Sequence, residues 1–295
     1  VNPVTTLERP ATVVTAELFE HATTPPESLR PWIAEVGHIP TVFEPFEPFT
    51  HIPHAVTTIV VRTEPSGRSE ALVVGPQTRA TYSTAKKPAG CLRLRLAPGA
   101  SRPLLGLPAA DLADRALPLG EVPGPAAEFA AALTELGPED ALGFLEQALP
   151  HRISEDAIAR DHRRLLAAAV DSLLGAPAPV GALAADLAVS ERQLRNLFAT
   201  GIGVSPKHFA RIARIRRIVA ATPDAPWSPG TVRDDRNARR EPQPSHARLA
   251  ADNGFYDQSH MVADFRSVMG VTPDRFFKGR LPAPAPCRAL ISPGP

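Results

Sequence analysis

The sequence predicts an α+β chain of more than one domain: an amino-terminal small β-barrel or sandwich with attached helices, then an all-α domain. Three observations predict it. Short β-branched runs separated by turn residues occupy the stretch from Pro40 to Leu96. From Leu104 onward, Ala and Leu recur at helical spacing. One bihelical pattern is written twice between Leu183 and Phe276. A length of 295 residues suits two domains rather than one.

Residues 1–30 read as irregular, broken by Pro3, Pro10, Pro25 and Pro26. Ala55–Val61 and Ala71–Val74 read as strands, with Glu64-Pro-Ser-Gly67 as the turn between them. Cys91-Leu-Arg-Leu-Arg-Leu96 alternates as a half-buried strand does, and Pro98-Gly99 closes it. Phe43, Phe46 and Phe49, interleaved with Glu44, Glu47 and prolines, would line a barrel mouth or simply pack. Helices are expected over Ala109–Leu117, Ala126–Leu136, Glu139–Leu149 and Glu155–Leu174, the last stopped by Gly175 and Pro177.

The repeat is the strongest signal. Leu183-Ala-Ala-Asp186, Phe198, Gly203-Val-Ser-Pro206 and Phe209 are matched by Leu249-Ala-Ala-Asp252, Phe265, Gly270-Val-Thr-Pro273 and Phe276. Leu to Phe spans 15 residues in one copy and 16 in the other; Phe to Gly spans five in both, and Pro to Phe three. Agreement at three landmarks indicates one supersecondary unit used twice. Each copy reads as helix, tight turn, helix. Ser190 caps the second helix of the first copy and Asp257 that of the second. Leu194, Leu197 and Phe198 form a buried stripe, leaving Arg192, Gln193, Arg195 and Asn196 on the other face. In the second copy Met261 and Phe265 point inward, with Gln258, Ser259 and His260 near the helix start. Such a unit puts its second helix into the DNA major groove, where Arg pairs with guanine and Asn or Gln with adenine.

A helix from Pro206 to Ala221 joins the copies, with an apolar stripe of Phe209, Ile212, Ile215 and Val219. Lys207, Arg211, Arg214 and Arg217 fall mainly on its other faces and are expected to meet phosphate. Charge agrees: residues 1–150 carry 11 Lys+Arg against 17 Asp+Glu, and residues 151–295 carry 21 against 14.

Val180–Phe277 resembles the DNA-binding module of AraC/XylS-type regulators. The resemblance rests on Leu183–Phe198, Gly203-Val-Ser-Pro206, Gly254-Phe-Tyr-Asp-Gln-Ser-His260, Phe265 and Gly270-Val-Thr-Pro273. It implies base contacts from Arg192, Arg195 and Asn196 in the first unit, and from Gln258, Ser259, His260 and Ala263 in the second. It also implies a sensor or dimerisation domain in front. Arg30-Pro-Trp32, Val74-Gly-Pro-Gln-Thr-Arg79 and Leu104-Leu-Gly-Leu-Pro108 resemble the amino-terminal domain of an uncharacterised branch of those regulators. The implied partners are double-stranded promoter DNA and a small-molecule effector, with RNA polymerase and a second copy of the chain as further candidates. No cofactor is implied.

The expected division is therefore a β-rich sensor or dimerisation domain at 1–122, a helical connector at 123–175 and the tandem helix-turn-helix domain at 176–280. A departure from the family interrupts the last: a polar, Pro-rich insertion at 228–246 carrying Arg233, Arg236, Arg239 and Arg240. It reads as a solvated loop with no role, as an extra phosphate contact, or as an insertion that damages the docking of the second unit. The Pro-rich tail, 281–295, is expected to be disordered. No apolar run reaches the ~18–20 residues of a membrane span, and no secretion signal is apparent. With Cys91 and Cys287 in no redox or metal spacing, a reducing, cytoplasmic setting is expected. The alternative from another class is a metal-dependent barrel enzyme fused to a DNA-binding module, drawn from His38, His51, His54 and Glu64. Its His-x-x-His spacing departs from the His-x-His of catalytic barrels. No nucleophile elbow, phosphate loop or dinucleotide fingerprint occurs, so no enzyme is expected.

Overall fold

A computed structural model describes residues 13–15, 17, 19–40, 49–64, 66–83, 90–175, 179–221 and 246–284. The expectations for Phe43, Phe46, Glu44, Glu47, Cys287, insertion residues 228–245 and tail residues 285–295 concern residues outside these ranges.

The strands are β1 (Val14–Thr15), β2 (His21–Thr23), β3 (Ile33–Ile39), β4 (Phe49–His51), β5 (Thr58–Thr63), β6 (Ser69–Val74), β7 (Thr81–Ser83), β8 (Gly90–Leu96) and β9 (Ala116–Pro118). Six form one antiparallel sheet in the order β2-β3-β8-β5-β6-β9. The other three form a small sheet, with β4 between a parallel β1 and an antiparallel β7. Among the described residues both sheets are open, so the expected β-domain is present but no barrel closes. The predicted turn at 64–67 closes the β5–β6 hairpin: the Glu64 amide donates to Arg68 O, and Gly67, at φ +82°, donates to Glu64 O.

The helices are α1 (Ser101–Leu105), α2 (Ala130–Glu135), α3 (Pro138–Arg152), α4 (Ala157–Gly175), α5 (Val180–Asp186), α6 (Glu191–Gly201), α7 (Pro206–Ala220), α8 (His246–Asp252), α9 (Gln258–Met269) and α10 (Pro273–Phe277). None is long and apolar enough to cross a membrane among the described residues. The helix expected over 109–117 is instead a 3-10 turn, Ala109–Leu112, followed by β9. The break falls at Asp114, whose φ of 55° is left-handed. Its carboxylate holds the amide and hydroxyl of Thr78, at 2.7 and 2.5 Å.

Two apolar cores organise the chain. In the first, one face of the six-stranded sheet (Ile59, Val73, Leu92, Leu94) packs on Leu104, Leu119, Phe129, Leu133 and Leu145. This core includes α2 and α3. The second joins α4 to the last six helices and also takes in Val13, Ile52 and Ala55 from the amino-terminal half. The helical domain is thus seated on the small sheet, not tethered beside it.

The other face of the large sheet is charged. Arg93 and Arg95 of β8 both reach Glu20, at 3.4 and 2.7 Å, and Arg95 also pairs with Glu35. Glu20 lies over β3 at Gly37, where a β-carbon would fall 1.8 Å from its carboxylate oxygen, so a larger residue there would displace the Glu20 side chain.

Candidate nucleic-acid interface

In the first unit α5 leads through a turn at Ala188, φ 54°, into α6. Ser190 Oγ accepts the Gln193 amide at 3.1 Å and fixes where α6 begins. Leu194 and Phe198 are completely buried, whereas Arg192, Gln193, Arg195 and Asn196 are exposed. Arg195 pairs with Glu191 one turn back on the same surface.

The second unit repeats the design. Asn253 ends α8, Gly254 makes the turn at φ +70°, and Asp257 accepts the His260 amide at 2.7 Å to start α9. Met261, Phe265, Val268 and Met269 are fully buried; Gln258, Ser259, His260 and Ala263 are exposed. The two copies pack their landmark rings alike. Phe198 meets Phe209 edge-on at 5.9 Å, and Phe265 meets Phe276 edge-on at 5.6 Å. The sequence repeat is thus a repeat of packing.

Between them, α7 starts at Ser205, whose hydroxyl accepts the His208 amide, and buries Phe209, Ile212, Ile215 and Val219. Its cations do not share one environment. Lys207 is exposed. Arg211 Nε lies 2.8 Å from one oxygen of Asp264, and Arg214 Nη2 donates to the other at 3.0 Å. The Arg214 guanidinium also stacks over Phe255, 4.7 Å from the ring centre. Arg217 donates to Leu174 O of α4, and burial followed by the nearby Arg214 charge lowers its pKa. Asp264 is the residue that sequence reasoning missed. An acid next to Phe265 on the apolar side of α9, facing a basic helix, is the signal that marks it.

The amino-terminal half holds both units. Gly99 N donates to Gly201 O at 3.1 Å. Gly203, at φ +89°, sits so close to Ala109 O and Pro76 that a β-carbon would fall 2.5 and 2.6 Å from them. A few residues on, Ala80 N donates to Val268 O and the Tyr82 hydroxyl to Met269 O, at 2.8 and 2.5 Å. The stretch from Gly75 to Tyr82, which contains the Gly-Pro-Gln-Thr-Arg motif, therefore touches both units.

A cleft of about 510 Å³ opens where β8, α4 and α7 meet. Val170, Leu174, Ile202, Phe209 and Ile212 form its apolar side; His54, Arg95, Arg216 and Arg217 line the polar side. Arg216 pairs with Glu17 at 3.2 Å. Burial, then the Arg216, Arg95 and Arg93 charges, pull the His54 pKa well down, and its Nδ1 has no hydrogen-bond partner among the described residues. His51 is pulled to about 4 by burial and Arg93, against an opposing effect of Glu17. His38 lies on β3 opposite Leu92, and Glu64 at the hairpin turn. Among the described residues no three His, Cys, Asp or Glu side chains are grouped to hold a metal ion.

Comparison with known proteins gives a match of residues 21–118 to a domain of unknown function (DUF6597), a third of the chain. No curated protein matches significantly. Among solved structures, the chain is similar to ToxT from Vibrio cholerae. For a 1.65 Å structure of ToxT the identity is 12% and the TM-score 0.39, covering 88% of this chain and 97% of that one. For ToxT with an unsaturated fatty acid bound the values are 12% and 0.34, covering 82% and 93%.

Proposed function

We propose that this chain is a sequence-specific DNA-binding transcription regulator of the AraC/XylS type, responsive to a small-molecule effector. One observation carries the reading: the same capped bihelical unit is built twice around α7, and each copy exposes polar side chains at the start of its second helix. In this reading Arg192, Arg195 and Asn196 contact bases from α6, and Gln258, Ser259 and His260 from α9. Lys207 meets phosphate. The remaining α7 cations, Arg211, Arg214 and Arg217, were expected there too, but each already has an internal partner. The effector part is supported by the cleft, whose occupant would touch the amino-terminal sheet and α7 together. Promoter DNA is the main partner; contacts with RNA polymerase or a second copy, and a cytoplasmic setting, complete the reading.

The test is base-by-base. A duplex is selected from a randomised library with the full chain, and affinities are measured on its single-base-pair variants. Arg192→Ala is expected to cost ~1–3 kcal/mol and to relax choice at one base pair. An equal loss on every duplex would contradict base reading by Arg192.

A further inference from the structure

We propose that Asp264, Arg211 and Arg214 form a positioning clamp that fixes α9 against α7 and so sets the relation between the two DNA-reading helices. The proposal rests on the regulator reading above.

The side chains of Arg211 and Arg214, one turn apart on α7, converge on a single carboxylate whose side chain is 8% exposed. An ionised carboxylate so buried is unfavourable alone and tolerable between two guanidiniums. The planar Arg214 group is held on its face as well, against Phe255 in the turn before α9. His260, in the first turn of α9, lies edge-on to the same Phe255 ring and 3.5 Å from the same carboxylate. Two points of the second unit, Phe255 and Asp264, are therefore tied to two side chains of the linker helix, and His260 braces both from within the unit. The apolar contacts of Phe265 and Val268 seat α9 in the core, and Ala80 and Tyr82 hold its end; the hydrogen-bonded Arg214–Asp264 pair, with Arg211 beside it, ties the middle of α9 directly to α7.

The same geometry removes Arg211 and Arg214 from phosphate contact. Their side chains are 28% and 16% exposed and turned to Asp264, whereas Lys207 stands in solvent. Salt dependence counts the phosphates that a protein neutralises, so it separates a clamp from a phosphate contact.

The experiment uses the full chain and the duplex it selects from a randomised library, with affinity measured against salt. It also uses versions of that duplex with one or two base pairs inserted between the halves of the site. Lys207→Ala is expected to flatten the slope of log affinity against log salt by about 0.9. Arg211→Gln is expected to leave the slope unchanged and to cut the preference for the selected spacing by about fivefold or more. Asp264→Asn frees two guanidiniums, so it is expected to steepen the slope while losing the spacing preference. Simple loosening of the second unit would flatten it instead. If Asp264→Asn no longer melts cooperatively, Arg211→Gln and Arg214→Gln decide. The clamp is overturned if Arg211→Gln flattens the slope as Lys207→Ala does, or if the spacing preference survives these substitutions. A wild-type chain that selects no duplex overturns the regulator reading itself, a result distinct from either.

Discussion

The two helix-turn-helix units share a frame and differ in what is mounted on it. Both start the second helix with a side-chain cap, both bury an aromatic at zero exposure, and both set that ring edge-on against a second one further along. The first then exposes two arginines and an asparagine, groups that discriminate bases strongly. The second exposes Gln258, Ser259 and His260, and His260 is drawn towards Phe255 and Asp264. Attachment differs too. The first unit meets the amino-terminal half through close backbone approaches at Gly201 and Gly203. The second is held by ion pairs to α7 and by hydrogen bonds from Ala80 and Tyr82 to the end of α9. On the proposed reading, a duplicated scaffold divides its labour: one copy would be furnished for base choice, the other held at a set angle.

The largest expected effects test the shared frame. Phe198→Ala and Phe265→Ala should each lower stability by ~3–5 kcal/mol in chemical unfolding, because both rings are fully buried. Losses that differ severalfold would break the equivalence of the copies. Next comes the difference in furnishing. Arg192→Ala should cost ~1–3 kcal/mol at its base pair, whereas Ser259→Ala should stay under ~1 kcal/mol in the same binding assay. The reverse order would make the second unit the principal reader.

Acid probes attachment instead of reading. The folded-state pKa of His51 lies at about 4, below its ordinary value of 6.5, so the unfolded chain binds the proton first. Stability is full above pH 6.5 and falls as pH drops towards 4, at up to ~1.4 kcal/mol per pH unit for this group. His54 adds loss in the same direction. Melting at pH 7.5 and pH 5 should show it, and His51→Gln should flatten the dependence. The smallest effects concern the caps: Ser190→Ala and Asp257→Ala should each cost ~1 kcal/mol, read by thermal melting.

Much of this design can be read from residue order because it is local. The repeat, the caps at Ser190, Ser205 and Asp257, and the apolar stripe of α7 depend on spacings of three or four residues. What the sequence hid is non-local. Strand β3 is not legible in the sequence because Glu35, Gly37 and His38 interrupt its apolar pattern, and their reason lies in other parts of the chain: Arg95, Glu20 and the paired β8. The Ala- and Leu-rich run after Pro108 looked helical, yet a hydrogen-bonded Asp114–Thr78 contact, 36 residues apart, bends it and an edge pairing with β6 completes it. Arg211 and Arg214 read as phosphate contacts in sequence because their partner Asp264 lies 50 residues beyond Arg214. Which residues of the candidate surface face outward was legible; which of its cations were already occupied was not.

Hydroxyl-radical footprinting of the full chain on its selected duplex tests the central claim most directly. Two copies of one reader on a rigid helix predict two protected stretches on one side of the DNA, about 10–11 base pairs apart, with the stretch assigned to α6 lost first in Arg192→Ala. A single protected stretch, or uniform protection with no sequence preference, would contradict it.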